Sequence, residues 1–135
     1  MPALPFQFVY VVGPSDLPLL RQSLASLALA VDRGGHSGVA WLFVDDGDVT
    51  RVRTLGADIP VAAALDIRVR PKSVFREHES GDGYVDQMRI KLLASTVVET
   101  EYYNVVDADF LFIGPVDPAV LFHEGRGIYR IGQVP

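Results

Sequence analysis

At 135 residues the chain is too short for two full domains of roughly 150 residues each, and its 49% hydrophobic against 21% charged residues gives enough apolar surface for one packed core, which excludes global disorder. Lys and Arg number 12 against 17 Asp and Glu, and the resulting net charge of −5 argues against a general binder of nucleic-acid phosphates. The absence of cysteine removes disulfide staples, thiolate zinc sites and cysteine nucleophiles.

The first six residues place no basic stretch ahead of an apolar one, and no apolar run approaches the ~18 residues of a membrane helix, so the expectation is a cytoplasmic protein without an integral membrane segment. Residues 6–12 are aromatic and β-branched and predict a buried strand closed by Gly13-Pro14. Ser15 is the expected N-cap of a helix in which Leu17, Leu20, Leu24, Leu27 and Val31 recur at helical spacing, with Pro18 in the tolerant first turn and an end at Gly34-Gly35. Residues 39–44 read as a second strand stopped by Asp45-Asp46-Gly47-Asp48.

Strand, helix and strand in that order predict a parallel βαβ unit. The fold class expected is α/β: one Rossmann-like domain spanning the chain, with a mainly parallel sheet flanked by helices. A short helix is expected over 49–55, a third strand within 61–69 ahead of Pro71, and a polar mobile loop over 76–83. Residues 84–99 predict a second long helix whose apolar stripe is Val85, Met88, Leu92, Leu93 and Thr96, with Gln87 and Lys91 neighbours on the opposite face. A strand over 102–106 follows, and 110–113 continues it or begins another. Residues 117–122 suggest a helical turn and 127–131 a last short strand. Leu24, Leu27, Phe43, Leu92, Leu93 and Val106 are the expected core.

Two acidic clusters interrupt this apolar framework. In Val105-Val106-Asp107-Ala108-Asp109-Phe110 two carboxylates stand in what otherwise reads as a buried strand, where unpaired charge costs several kcal/mol. In extended chain both would face one side, aimed at one point, where a divalent cation bridging to phosphate would satisfy them. The plainer alternative has one acid capping a turn and the other paired with arginine. Asp45-Asp46-Gly47 is either a solvated turn or a carboxylate site for the imide N–H of uracil or a ribose hydroxyl. One strand end for a base and another for phosphates suits a nucleotide, because parallel sheets bind ligands at their strand ends.

These features resemble the glycosyltransferases of the GT-A fold over residues 6–115. The matching pieces are an N-terminal strand and helix, the strand with acidic turn at Phe43-Val44-Asp45-Asp46-Gly47, and the Asp-x-Asp segment from Tyr102 to Pro115. The stretch 87–93 looks like the helix that in several such families sends a basic side chain to the donor.

The resemblance implies a UDP- or GDP-sugar donor and transfer of its sugar to an acceptor. Asp107 and Asp109 would hold Mn²⁺ or Mg²⁺ against the donor diphosphate, with Asp109 the direct ligand. Asp45 or Asp46 would meet base or ribose, the backbone of Tyr10, Val12 and Gly13 would line the base pocket, and Gln87 belongs to the donor-side helix. Lys91 or Arg89 would neutralise phosphate or fix the first aspartate. Little chain follows Asp109, where the superfamily builds its acceptor site. The expectation is therefore a donor-binding chain that transfers poorly alone, with a second copy or another subunit completing the pocket.

Other readings stand beside this one. Arg89 falls inside the apolar stripe and is either snorkelling or paired inward with an aspartate; Gln87 and Lys91 form either a solvated or a functional face. His36 should be exposed, His78 lies between two glutamates, and His123 is the only histidine beyond the Asp-x-Asp. A haloacid-dehalogenase-like phosphatase would need threonine or valine where Leu111 stands, and a receiver domain would place its acid pair after the first strand. A nucleotide-sugar or metal-binding module without turnover, or an interaction protein retaining the core, is the non-enzyme alternative.

Overall fold

Seven consecutive buried residues make strand β1 (Phe6–Val12) the centre of the sheet, because only a strand covered on both faces and flanked on both edges can bury every side chain. The computed structural model describes residues 1–78, 80–124 and 126–127. The chain continues through α1 (Leu17–Arg33), β2 (Gly38–Val44), α2 (Val49–Ala57), β3 (Leu65–Pro71), α3 (Gly83–Leu93) and β4 (Tyr102–Val105). A one-turn helix α4 (Pro118–Leu121) then leads into a small antiparallel pair, β5 (Phe122–His123) and β6 (Arg126–Gly127). The main sheet has four strands in the order β3-β2-β1-β4, all parallel. This is the expected α/β, Rossmann-like architecture. Among the described residues no helix is long and apolar enough to cross a membrane.

Alternation along β1 sorts the core into two layers. Phe6, Phe8, Tyr10 and Val12 pack with Leu20, Leu24, Leu27 and Val31 of α1 and with Val52 of α2. Val9 and Val11 face the other way, with Trp41, Phe43, Phe75 and Ile90 under α3. Helix α1 runs to Arg33, as its glycines predict: Gly35 takes φ +74, and a Cβ on Gly34 would collide with the carbonyl oxygen of Val116, which crosses there. The cap differs from expectation. Asp16, not Ser15, is the residue preceding α1, after a 3-10 turn over Pro14–Asp16, and its carboxylate accepts a hydrogen bond from the Gly13 N–H at 3.0 Å.

Inside the α1 layer the Tyr10 hydroxyl lies 2.9 Å from Ser23 Oγ, and burial pushes the phenol pKa up to about 12, with the Ser23 hydrogen bond opposing it. A raised pKa favours the neutral phenol, so this contribution is full below the ordinary tyrosine value near 10 and is lost as pH rises through about 12. Urea unfolding across alkaline pH should therefore show a shallower loss of stability for Tyr10→Phe than for the wild type.

On the α3 side a polar network ties three strands together. Gln7, buried, accepts from Trp41 Nε1 at 2.8 Å and from the Glu99 N–H at 3.0 Å. Arg68 pairs with Glu99 and Asp66, and the guanidiniums of Arg68 and Arg70 lie 5.0 and 5.2 Å from the centre of the Trp41 ring. The Arg68 guanidinium and the Gln7 amide hold the Glu99 carboxyl below its usual range.

Several elements differ from expectation. β3 includes Pro71, tolerated because β3 is an edge strand. Residues 72–78 form 3-10 turns kinked at Phe75, and Asp82 caps α3 by accepting from the N–H groups of Tyr84 and Val85. α3 ends at Leu93, six residues early, passing into a 3-10 turn (Ala94–Thr96) before β-branched Val97 and Val98. Its buried line is Ile90 and then Ala94; Leu93 is half-buried, while Leu92 is 74% exposed and Val85 is exposed. Leu24, Leu27, Phe43 and Val106 are core as expected. His36 is half-buried rather than exposed. Residues 110–113 form no strand, and of the strand expected over 127–131 all but Gly127 lies outside the described residues.

Candidate functional site

Because all four strands are parallel, their C-terminal ends share one edge of the sheet, and both acidic clusters lie there. From β1 the chain builds outward through α1 to β2 and β3 on one side, then returns under α3 to place β4 on the other. The reversal falls between β1 and β4, at the kind of strand-order switch where open α/β sheets take their ligands.

The turn after β2 is anchored rather than merely solvated. Lys72 Nζ donates to Asp45 Oδ1 at 2.9 Å, the Ser73 N–H donates to Asp46 Oδ1 at 3.3 Å, and Arg76 Nη2 stands 3.8 Å from Asp46 Oδ2. These partners come from the 3-10 segment after β3. They were missed in the sequence, where the alternation Arg68, Arg70, Lys72 into a strand end was the available signal. Between this segment and α3 lies a cleft of about 310 Å³. Phe75, Ile90 and Leu93 line it with apolar surface, and the Phe75 ring packs 5.1 Å from that of core Phe43. Asp45, Asp46, Lys72 and Arg76 stand along one rim, with Gln87 and Arg89 along the other.

Helix α3 links the cleft to the second cluster. Gln87 Nε2 donates to the Val11 carbonyl at 3.2 Å, and Lys91, one turn on, brings Nζ to 3.3 Å from Asp107 Oδ1. Of the two roles the resemblance allows for Lys91 or Arg89, the geometry gives Lys91 the contact with the first aspartate. Arg89 is exposed at the cleft, not buried in an apolar stripe. Near it, hydrogen bonds from the Ser80 N–H and hydroxyl, with a smaller contribution from the Arg89 charge, hold the Asp86 carboxyl below its ordinary range.

The Asp-x-Asp segment departs from the expected extended strand. β4 stops at Val105, the Val106 N–H makes one more bond to the Val9 carbonyl at 2.8 Å, and Asp107 to Phe110 then form a turn closed by Phe110 N–H to Asp107 O at 3.0 Å. Both aspartates are exposed while Val106 and Ala108 between and before them are buried. The feared burial of charge is thus avoided by ending the strand, and strand alternation no longer aims the two carboxylates together. Tyr10 and Val12 turn their side chains into the α1 layer, leaving only backbone for the edge, and the Gly13 N–H is taken by Asp16.

The structure therefore gathers Asp45, Asp46, Gln87 and Arg89 around one cleft and joins Lys91 to Asp107, while Asp109 stands on the adjoining turn. Among the described residues no group of three or more His, Cys, Asp or Glu converges as a metal cage. Asp107, held by Lys91, and Asp109 on the same turn are carboxylates of the hard oxygen type that a divalent cation takes. The side chains of His78 and His123 lie outside what is described. No curated protein and no solved structure matches the chain. A family match covers residues 19–134, and the chain belongs to that family, DUF6492, a family of unknown function.

Proposed function

We propose that this chain binds a nucleoside-diphosphate sugar along the C-terminal edge of its sheet and transfers the sugar to an acceptor, as a metal-dependent glycosyltransferase. The observation that carries this reading is the double reach of α3: Gln87 touches the end of β1 beside the cleft, and Lys91 touches Asp107 one turn further. The cleft, with apolar Phe75, Ile90 and Leu93 below and carboxylates at its rim, suits a base and ribose. Asp45 and Asp46 accept hydrogen bonds from the imide or ribose hydroxyls, sharing or exchanging their contacts with Lys72 and Ser73.

The diphosphate extends toward the turn that carries Asp107 and Asp109. There Mn²⁺ or Mg²⁺, when bound, supplies positive charge against the departing nucleoside diphosphate. Lys91 holds Asp107 in place and adds a cation on the same side. The acceptor approaches from the exposed side of the turn, where Phe110 stands 55% open to solvent.

Incubation with UDP- and GDP-sugars in Mn²⁺ tests the reading. Release of free sugar, or transfer to an added acceptor, is the expected result. Tight binding with no release would identify a nucleotide-sugar-binding module instead, and absence of binding would remove the donor site altogether.

A further inference from the structure

The two edges of the sheet are finished differently. Edge strand β3 carries Asp66, Arg68 and Arg70 and ends in Pro71, the charges and proline that block strand addition. Edge strand β4, Tyr102-Tyr103-Asn104-Val105, carries no charge, and among the described residues it pairs with β1 alone.

The chain that follows extends this uncharged flank. After the Asp107–Phe110 turn it runs back beside α1, held by the Phe112 N–H to Ser26 Oγ and the Val116 N–H to Ala30 O, each 3.0 Å, and it returns to β4 where the Phe122 ring lies 5.2 Å from Tyr102. This path buries Val116 and half-buries Phe112, and turns Leu111, Ile113, Val120 and Leu121 outward. Together with Tyr102 and Val105 these side chains are between 37% and 98% exposed, Ile113 the most. These six exposed apolar side chains lie on β4 and on the chain that follows it, and they would supply part of the roughly 800 Å² that each partner gives to a standard interface.

We propose that this flank is the interface of a homodimer, in which the outer edges of β4 from two copies pair antiparallel across a two-fold axis. An antiparallel two-fold through the middle of β4 sets Tyr102 against Val105 and Tyr103 against Asn104, with no charge facing another across the ladder. β4 is self-complementary in this way, whereas β3 is blocked by its charges and Pro71, which is why a second copy is the occupant that fits. Pairing would satisfy the outer backbone groups of β4 and cover Ile113 and Leu111, joining two four-stranded sheets into one. The inference does not rest on the glycosyltransferase reading.

Sedimentation velocity of the full chain over a range of concentrations tests it, with Leu111→Glu and Ile113→Glu as variants, both at exposed positions where folding is not at stake. The wild type should dimerise and each variant should weaken the dimer at least tenfold. A wild type that stays monomeric near 100 μM, or a dimer indifferent to both substitutions, overturns the proposal. So does a monomer that floats with phosphatidylcholine vesicles through Ile113, which would assign the flank to lipid. A monomer that becomes a dimer only when residues 128–135 are removed would assign it to the chain's own end. Nucleotide binding should be the same in Ile113→Glu as in the wild type, so failure of the dimer and failure of the donor site are read separately.

Discussion

Asp109→Asn is expected to weaken metal-dependent binding of a nucleoside diphosphate at least tenfold, about 1.4 kcal/mol, while leaving the melting temperature essentially unchanged. The asymmetry follows from placement. Asp109 is exposed on the turn after β4, so its charge contributes little to the fold. Losing even a partner that merely orients a metal ligand costs about 10–100-fold in metal affinity, and a direct ligand should cost no less. Asp45→Asn should have the smaller effect on metal dependence, because that carboxylate serves the cleft and already holds Lys72 at 2.9 Å. Lys91→Ala should weaken the diphosphate with or without metal, since it removes a cation and releases Asp107. Titration calorimetry on the three variants separates these outcomes. Equal loss across all three would mean that the edge acts only through its net charge.

Gln7→Ala should be the most damaging polar substitution in the chain, costing about 3 kcal/mol and lowering the melting temperature by roughly 10 °C. One buried amide oxygen receives both Trp41 Nε1 and the Glu99 N–H, and truncation leaves both donors without a partner. Each orphaned donor costs about 1–3 kcal/mol. Arg68→Ala, which removes more ion pairs, should cost no more than about 1 kcal/mol, because its carboxylate partners are well exposed and water replaces them. Chemical denaturation of the two variants checks the ordering, and a larger loss for Arg68→Ala would mean that the ion pairs, rather than the buried amide, hold Glu99.

The parts of the fold that were legible are those in which one simple contact decides the sequence. α1 lies along the sheet with a single buried face, so Leu20, Leu24, Leu27 and Val31 recur at the helical period. β1 and β2 are covered on both faces and read as unbroken apolar runs. α3 was legible as a helix but not in its orientation. Its sheet-facing side spends two positions on Gln87 and Lys91, which reach polar targets at the strand ends, so the buried apolar line shrinks to Ile90 and Ala94 while Leu92 faces solvent. A stripe drawn through the apolar residues therefore ran along the wrong side.

The candidate site was half legible for a related reason. Asp45, Asp46, Asp107 and Asp109 stand out as acids at the ends of apolar runs, and a parallel sheet carries them to one edge. Local pattern does not disclose where β4 stops: Phe110 to Ile113 continue the apolar composition, yet the pairing ends at Val9 opposite Val105 although β1 runs on to Val12, and the Val11 carbonyl is taken by Gln87. Lys72 and Arg76 escaped notice because their partners lie about thirty residues away in sequence, brought together only by the pairing of β2 with β3.

Titrating UDP and GDP into the wild-type chain in Mn²⁺ and again in EDTA addresses the donor site most directly. Saturable binding of one nucleotide in Mn²⁺ that falls at least tenfold in EDTA is the result predicted from the carboxylate turn beside Lys91. Equal affinity in both buffers, or no binding in either, would contradict it.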